Sequence, residues 1–271
     1  MTASFRDFEH AGWTDPAVCA SYEDLMAGLT AQSIEALLDG AGVAPGQSVL
    51  DVATGAGHAA AAAQARGAEV TGVDFSAEQV RLARRRYPAV RFEEGDAGRL
   101  PFEDRRFDAV MANYGVLHFP EPERFFGEAF RVLKAGGRLA FTVWDLPQKT
   151  RLFGAVLDAI RIHGALDVGL PAGPGMFMFA DPSVSRPVLA AAGFVACFVT
   201  PVPQTFRAAS GEAILRTLKT ATVRMRGTLQ RQQDGSADAI DAAILRALEP
   251  YRDAEGYAVP MPAILTVATR P

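Results

Sequence analysis

The hydrophobic positions repeat with two different periods between residues 48 and 145. Short apolar runs that are typical of buried strands recur at five places: 49–52, 69–73, 90–93, 107–111 and 139–143. Segments with helical spacing lie between them, and in the clearest one Phe125, Phe126 and Ala129 fall on one face. Strands that alternate with helices in this way predict an α/β fold with a doubly wound, mostly parallel, Rossmann-like sheet.

The alternation ends after Trp144. Six further elements are predicted: helices over 151–162, 181–192, 210–226 and 236–248, and strands over 194–199 and 263–268. The chain before the first strand is mainly helical in pattern. The sequence therefore predicts three segments: an N-terminal helical segment (1–45), a core (46–204 with 256–271), and a mainly helical cap (205–255) inserted before the last strand.

The composition is that of an ordinary globular chain. Of its 271 residues, 49% are hydrophobic and 21% are charged, and the net charge of −4 gives no reason to expect a nucleic-acid partner. The two cysteines, Cys19 and Cys197, form no CxxC motif and fit a reducing compartment. No apolar run approaches the roughly 20 residues that a membrane-spanning helix needs, and charges near the N-terminus argue against a signal peptide. We therefore expect a cytoplasmic protein with no membrane span, and the oligomeric state stays open.

A glycine turn follows the first predicted strand, in the stretch VLDVATGAGHAA at 49–60. Gly55, Gly57 and Ala60 satisfy the G-x-G-x-x-G/A pattern of a nucleotide-binding turn, which several cofactors use. Asp51 stands before these glycines, where its carboxylate would repel the pyrophosphate of a dinucleotide. An adenosyl-sulfonium cofactor carries an amino group with positive charge instead, and Asp51 favours that ligand.

Further polar side chains follow the next three strands. Asp74 ends the second strand, where a carboxylate can accept both ribose hydroxyls, and Asp96 follows the third. Phe75 is placed to cover one face of an adenine ring. Asn113 and Tyr114 follow the fourth strand, at the edge where open α/β sheets bind ligands. Each Asp alone has an alternative interpretation as a helix cap or turn residue, but together they predict one cofactor site and no metal site.

The chain resembles the class I S-adenosylmethionine-dependent methyltransferases, in particular the small-molecule branch related to the ubiquinone and menaquinone C-methyltransferases. Five stretches carry this resemblance: VLDVATGAGHAA, VTGVDFS, EEGDAGRLPF, FDAVMANYGVLHF and EAFRVLKAGGRLAFTVW. It implies a seven-stranded sheet whose last strand runs antiparallel. It also implies the roles of the cofactor-binding residues: Ala53, Gly55 and Gly57 at the methionine moiety, Thr54 as the small polar residue before the turn, Asp74 at the ribose, Asp96 with Ala97 at the adenine, and Asn113 beside the methionine end.

In relatives of this kind, a tyrosine from the N-terminal helices closes over the methionine carboxylate. Tyr22 is the candidate here, with packing of its helix on the core as the alternative. The resemblance makes S-adenosylmethionine the cofactor and S-adenosylhomocysteine the product.

The methyl acceptor is expected to be a small, moderately apolar molecule that is methylated on O, N or C. Four aromatic residues could line its pocket, although each could equally pack the core: Tyr114, Trp144, Phe177 and Phe179. The catalytic residues stay unknown, with His118 as a weak candidate for a base because it follows the fourth strand. Two alternatives stay open, an NAD(P)-dependent oxidoreductase and a cofactor-binding protein without turnover.

Overall fold

The computed structural model describes residues 4–233 and 235–271. Its α-helices are Phe5–Thr14 (α1), Pro16–Leu25 (α2), Ala27–Thr30 (α3), Ile34–Ala41 (α4), His58–Ala65 (α5), Ala77–Arg86 (α6), Pro122–Val132 (α7), Arg151–His163 (α8), Pro182–Ala191 (α9), Gly211–Thr220 (α10), Arg224–Gln230 (α11) and Ala237–Leu248 (α12). Its strands are Ser48–Val52 (β1), Glu69–Asp74 (β2), Arg91–Glu94 (β3), Phe107–Asn113 (β4), Leu133–Trp144 (β5), Val195–Val202 (β6), Thr205–Ala208 (β7), Arg252–Asp253 (β8), Gly256–Pro260 (β9) and Ala263–Thr269 (β10).

The described chain divides into two compact units. The cap unit combines the residues up to Leu29 with Asp145–Ala172 and the described part of Pro203–Pro262. The sheet unit combines Thr30–Trp144, Gly173–Val202 and Ala263–Pro271. These units divide the chain differently from the predicted segments. Residues 30–45, predicted in the N-terminal segment, belong to the sheet unit, and residues 145–172, predicted in the core, belong to the cap unit.

The sheet unit is built on seven strands in the order β3-β2-β1-β4-β5-β10-β6. Strands β1 to β5 pair in parallel, whereas β10 is antiparallel to both β5 and β6. This confirms the predicted Rossmann-like sheet with an antiparallel last strand. The parallel strands all end at one edge, which brings the residues after β1, β2, β3 and β4 to the same side of the unit.

Both faces of this sheet are buried, which explains the apolar runs in the sequence. Leu50, Val52 and Phe141 belong to a cluster with the aromatic face of α7. Val49 points to the other face, into a cluster with residues of α4, α5 and α6. Successive side chains of β1 therefore pack into clusters on opposite faces of the sheet, because side chains alternate between the two faces along a strand.

The cap unit contains two features that the hydrophobic pattern did not predict. The helix expected over 210–226 is two helices, α10 and α11, and the Thr222 hydroxyl between them accepts a hydrogen bond from the Arg226 amide at 3.2 Å. A small antiparallel sheet, β7-β9-β8, is the second feature: β7 and β8 lie in the segment expected to be helical (205–255), and β9 follows directly after it. Its strands are too short to show a clear alternation of apolar and polar residues in the sequence.

One expected strand of the sheet unit has different limits. β5 begins at Leu133, directly after α7, whereas the apolar run that predicted it covers 139–143. In the added part of the strand, Gly136 adopts a φ of +77° and its amide pairs with Arg270 O at 2.9 Å. No described helix is both long and apolar enough to cross a membrane.

Candidate cofactor site

Asp51 is buried at the carboxyl end of β1, with 1% of its surface exposed. Its Oδ2 atom accepts a hydrogen bond of 2.6 Å from the Thr54 hydroxyl, and its Oδ1 atom has no hydrogen-bond partner among the described residues. Burial raises the pKa of Asp51 to about 7, against the hydrogen bond from Thr54. Gly72, opposite Asp51 on β2, makes room for this arrangement, since a Cβ atom there would lie 2.8 Å from Thr54 Oγ1.

The turn after β1 depends on left-handed backbone conformations. Gly55 and Gly57 have φ values of +54° and +88°, and Ala53 adopts +55°, which is uncommon for a residue with a side chain. A Cβ atom on Gly57 would also lie 2.7 Å from the Phe92 ring. At Gly55 the nearest atom to such a Cβ, Gln79 Oε1, is 3.9 Å away, so Gly55 borders open space that a ligand can approach.

Asp74 joins this turn directly, at the end of the neighbouring strand. Its Oδ2 atom accepts the amide of Gly55 and its Oδ1 atom accepts the amide of Ser76, both at 2.9 Å. Burial raises the pKa of Asp74 to about 6, against the hydrogen bonds from the amides of Ser76 and Gly55. Each carboxylate oxygen retains a second lone pair, which leaves Asp74 able to accept two ligand hydroxyls.

The loop after β3 carries the two residues predicted at the adenine. Asp96 is half-buried and its Oδ1 atom accepts the amide of Gly98 at 2.8 Å, while Ala97 is buried. Arg131 on α7 holds the far part of this loop by donating to the carbonyls of Leu100 and Phe102, at 3.0 and 2.7 Å. Phe75, half-buried after β2, completes the predicted set on this side of the sheet edge.

Asn113, at the end of β4, is engaged in hydrogen bonds within the sheet unit. Its Oδ1 atom accepts the hydroxyls of Ser33 and Thr142, at 2.9 and 2.6 Å, and its amide donates to the carbonyl of Thr30 at 3.0 Å. The side chain therefore ties the end of β4 to the segment before α4. Contact of Asn113 with the cofactor stays a prediction.

The four aromatic residues predicted to line the acceptor pocket have different surroundings. Tyr114 and Trp144 are buried together, with ring centroids 4.1 Å apart, at the ends of β4 and β5. Phe177 is half-buried in the loop before α9. Phe179 is 2% exposed and packs on Phe126 and Phe141 in the hydrophobic core of the sheet unit, and a role for it in the acceptor pocket stays a prediction.

Two further predicted residues have roles that the structure does not test. Tyr22 belongs to the cap unit, where its ring contacts Trp13 edge-on at 5.3 Å. His118 ends a short 3-10 helix, Val116–His118, and is half-buried. A role in the lid for Tyr22 and a role as a base for His118 both stay predictions.

His58 begins α5 immediately after the glycine turn, and its ring links this helix to α6. Its Nε2 atom lies 2.9 Å from Arg86 Nη1, and its Nδ1 atom lies 3.0 Å from the Tyr87 hydroxyl. A guanidinium only donates, so Nε2 accepts and Nδ1 carries the proton in this arrangement. His58 therefore anchors the helix start.

The arrangement fits an adenosyl-sulfonium ligand better than a dinucleotide. The orphaned Oδ1 atom of Asp51 is a buried acceptor that an ammonium group would satisfy, and Asp74 next to it suits a ribose. A pyrophosphate on the same turn would lie beside two buried carboxylates, which is electrostatically unfavourable. Within residues 4–233 and 235–271, no three His, Cys, Asp or Glu side chains are grouped to hold a metal ion.

Comparison with known proteins agrees with this geometry. A family model described as a methyltransferase domain matches residues 50–141. The demethylmenaquinone methyltransferase of Thermus thermophilus is 38% identical over 164 residues, which cover 54% of this chain and 73% of that protein. That of Renibacterium salmoninarum is 39% identical over 111 residues, which cover 41% of this chain and 47% of that protein. The chain thus spans about half the length, or less, of the first curated relatives it matches.

Solved structures share the fold at low identity. Phosphoethanolamine N-methyltransferase 2 of Haemonchus contortus, in complex with S-adenosyl-L-methionine, has a TM-score of 0.62 at 20% identity, covering 100% of this chain and 60% of that one. The [4+2]-cyclase SpnF has a TM-score of 0.59 at 20% identity, covering 99% of this chain and 97% of that one. The sequence match to the Thermus thermophilus protein, together with the sheet topology, shows that the chain belongs to the class I S-adenosylmethionine-dependent methyltransferases and is related to the demethylmenaquinone methyltransferases.

Proposed function

We propose that the protein transfers the methyl group of S-adenosylmethionine to an O, N or C atom of a small, moderately apolar molecule and releases S-adenosylhomocysteine. The observation that carries this proposal is the pair of buried carboxylates on one glycine turn, Asp74 bonded to Gly55 and Asp51 with an unsatisfied oxygen. The names of the curated relatives support a quinol-like aromatic acceptor.

The residues of the turn and the sheet edge bind and orient the cofactor. Asp51 Oδ1 accepts from its amino group, Asp74 accepts from the ribose hydroxyls, and Asp96 accepts from the exocyclic amine of the adenine. The bound cofactor supplies a methyl group that its sulfonium has already activated. The protein therefore acts mainly by positioning the acceptor atom in line with that group.

Tyr114 and Trp144 supply the apolar surface against which we propose that the acceptor lies, with Phe177 as a further candidate. His118 serves as the base when the acceptor is weakly acidic, such as an aliphatic hydroxyl or a carbon acid. The cytoplasm is the proposed location, since Cys19 is buried, Cys197 is half-buried and no disulfide joins them in the described chain. The net charge of −4 supports a small-molecule acceptor over a nucleic acid.

Calorimetry with S-adenosylhomocysteine tests the cofactor assignment. Asp74→Ala is expected to weaken binding by about 1.5–3 kcal/mol, the value of a hydrogen bond to a charged group. The matched control is Asp108→Ala, which removes the carboxylate that accepts from Ser48 N at 2.9 Å and from Lys134 Nζ at 2.8 Å, at the opposite end of the sheet. That variant is expected to lose stability while keeping its affinity for the ligand.

Two results would contradict the proposal. Binding of NAD without any response to S-adenosylhomocysteine would favour the oxidoreductase alternative. Tight binding of S-adenosylhomocysteine without transfer of labelled methyl to any phenol, quinol, amine or carboxylate acceptor would favour a binding protein without turnover. The cyclase among the structural neighbours illustrates that this fold supports other chemistry as well.

A further inference from the structure

Arg131 on α7 makes five hydrogen bonds, as many as a guanidinium has N–H donors. Its Nε and Nη2 atoms both donate to the carboxylate of Glu128, at 2.8 Å each, in a bidentate ion pair. The other three bonds go to the loop between β3 and β4. Nη2 donates to the carbonyl of Leu100 at 3.0 Å, and Nη1 donates to the carbonyl of Phe102 at 2.7 Å and to Asp104 Oδ1 at 2.9 Å.

Glu128 holds the same loop as an acceptor. Its Oε2 atom accepts the amide of Leu100 at 2.7 Å, so Glu128 and Arg131 together, the α7 pair, bind both backbone groups of Leu100. The hydrogen bond from Arg131 lowers the pKa of Glu128, which keeps this carboxylate charged at neutral pH. Leu100 is also buried in the core cluster that contains the aromatic face of α7. Both packing and hydrogen bonds therefore fix its position relative to α7.

Backbone hydrogen bonds connect this anchor to Asp96. The carbonyl of Asp96 accepts the amide of Arg99 at 2.9 Å, so the chain between Asp96 and Leu100 forms a tight turn. At the start of the loop, the amide of Gly95 donates to the carbonyl of Asp74 at 2.9 Å. The loop is therefore held at one end by the residue that is proposed to bind the ribose and at the other end by the α7 pair.

We infer that the α7 pair positions Asp96 relative to Asp74 and thereby gives the cofactor site its preference for a 6-aminopurine. The inference rests on the proposed function, in which Asp96 accepts from the exocyclic amine, and deepens it by naming the residues that determine base specificity. Ribose and base are joined directly, so their two acceptors must keep their separation, and a hydrogen bond weakens steeply when its geometry is lost. Both members of the pair are positioning residues that act through the loop.

Calorimetry on the full chain compares S-adenosylhomocysteine with S-inosylhomocysteine, in which a carbonyl oxygen replaces the exocyclic amine. The wild type is expected to bind S-adenosylhomocysteine about tenfold or more tightly, because Asp96 accepts a charge-assisted hydrogen bond from the amine and faces another acceptor in the inosyl ligand. Arg131→Lys keeps the charge but has three donors and no planar fork. It is expected to reduce the preference to about threefold or less, since the loop is then no longer held in place.

Asp96→Ala supplies the reference for a double-mutant cycle. It should remove the preference by itself, and Arg131→Lys in that background should change the affinity for both ligands by the same factor. The matched control is Arg270→Lys, because Arg270 also donates to backbone carbonyls, those of Phe130 and Leu133, where α7 ends. This variant is expected to lose stability and to keep the full preference for S-adenosylhomocysteine.

Failure of the wild type to bind S-adenosylhomocysteine would refute the proposed function. Binding of both ligands with equal affinity would leave that function standing and would overturn the inference, because Asp96 would then not read the base. A preference that survives Arg131→Lys, or that Arg270→Lys lowers to the same extent, would overturn the role of the α7 pair. If Arg131→Lys fails to fold, Glu128→Gln decides, since it keeps the shape and replaces one acceptor oxygen with a donor. An undiminished preference in that variant would overturn the role as well.

Discussion

Gly115 lies two residues after the end of β4, where its backbone comes close to the turn after β1. Its φ is −78°, so the position needs glycine for space and not for conformation. A Cβ atom there would lie 2.6 Å from Ala53 Cβ and 3.4 Å from the carbonyl oxygen of Val52. Gly115→Ala therefore has to push the ends of β1 and β4 apart, at the edge that carries the candidate site.

The size of the effect follows from that distance. Two methyl carbons pack at about 3.5–4.0 Å, so the substitution demands a displacement of roughly 1 Å in a closely packed region. Overpacking of this kind costs about 1–3 kcal/mol. Ala53→Gly should rescue the variant, because it removes the opposing methyl group and also the penalty of the left-handed conformation at this position, roughly 1–2 kcal/mol in a residue with a side chain.

A double-mutant cycle measures the coupling. Urea unfolding gives the stability of Gly115→Ala, Ala53→Gly and the double variant, and calorimetry gives the affinity of each for S-adenosylhomocysteine. We expect a coupling free energy of about 1–3 kcal/mol in stability, with ligand affinity restored along with it. Gly127→Ala is the matched control, because a Cβ atom in that helical position meets nothing within 4 Å and should leave stability equal or higher.

Additive effects of the two substitutions would refute this reasoning. Additivity would mean that the clash with Ala53 does not limit the approach of the two strand ends. A Gly115→Ala variant as stable as the control would refute it more directly, since the 2.6 Å contact could then be relieved without cost.

Two further predictions concern the buried groups. Burial raises the pKa of Asp51 to about 7 and that of Asp74 to about 6, so between about pH 4 and pH 7 the folded protein holds protons that the unfolded chain releases. The stability of the ligand-free protein relative to Asp51→Asn, measured by urea unfolding at several pH values, should therefore fall as pH rises through that window. The affinity for S-adenosylhomocysteine should rise over the same window. A flat difference between the two proteins would contradict this. Phe179→Ala should cost about 3–5 kcal/mol in the same assay without changing ligand affinity, whereas loss of acceptor binding at full stability would favour the substrate pocket.

The sheet and its carboxylates could be predicted because they depend on local patterns. Buried parallel strands need continuous apolar runs, and the carboxyl ends of such strands share one edge, so Asp51, Asp74 and Asp96 could be assigned to one side of the fold from their positions alone. Asp51 and Asp74 prove to be linked through the turn, by the bond from Gly55 to Asp74.

The remaining features depend on contacts that a sequence does not display. Phe179 was a candidate for the acceptor pocket because it lies in a Gly- and Pro-rich loop without any period, and nothing in that pattern shows that its ring packs on Phe126. The requirement for glycine at positions 72 and 115 arises from neighbours distant in the sequence, Phe92 and Thr54 at Gly72 and Ala53 at Gly115. In a single sequence, such a glycine shows only that the strand or loop contains a residue of low strand propensity, and not which neighbour requires it.

The conformations at the sheet edge explain how a site made of short loops can be well defined. Ala53 and Tyr114, which directly follow the neighbouring strands β1 and β4, both have left-handed backbones, at φ values of +55° and +57°. Such strain persists only where the surroundings over-determine it. Thr142, buried on β5, supplies much of that constraint at β4, because its carbonyl and its hydroxyl both accept the Tyr114 amide at 3.1 Å and the same hydroxyl donates to Asn113. A core threonine thus orients both Asn113, the last residue of β4, and Tyr114, which follows it, so the geometry of the site at this edge is set by the sheet.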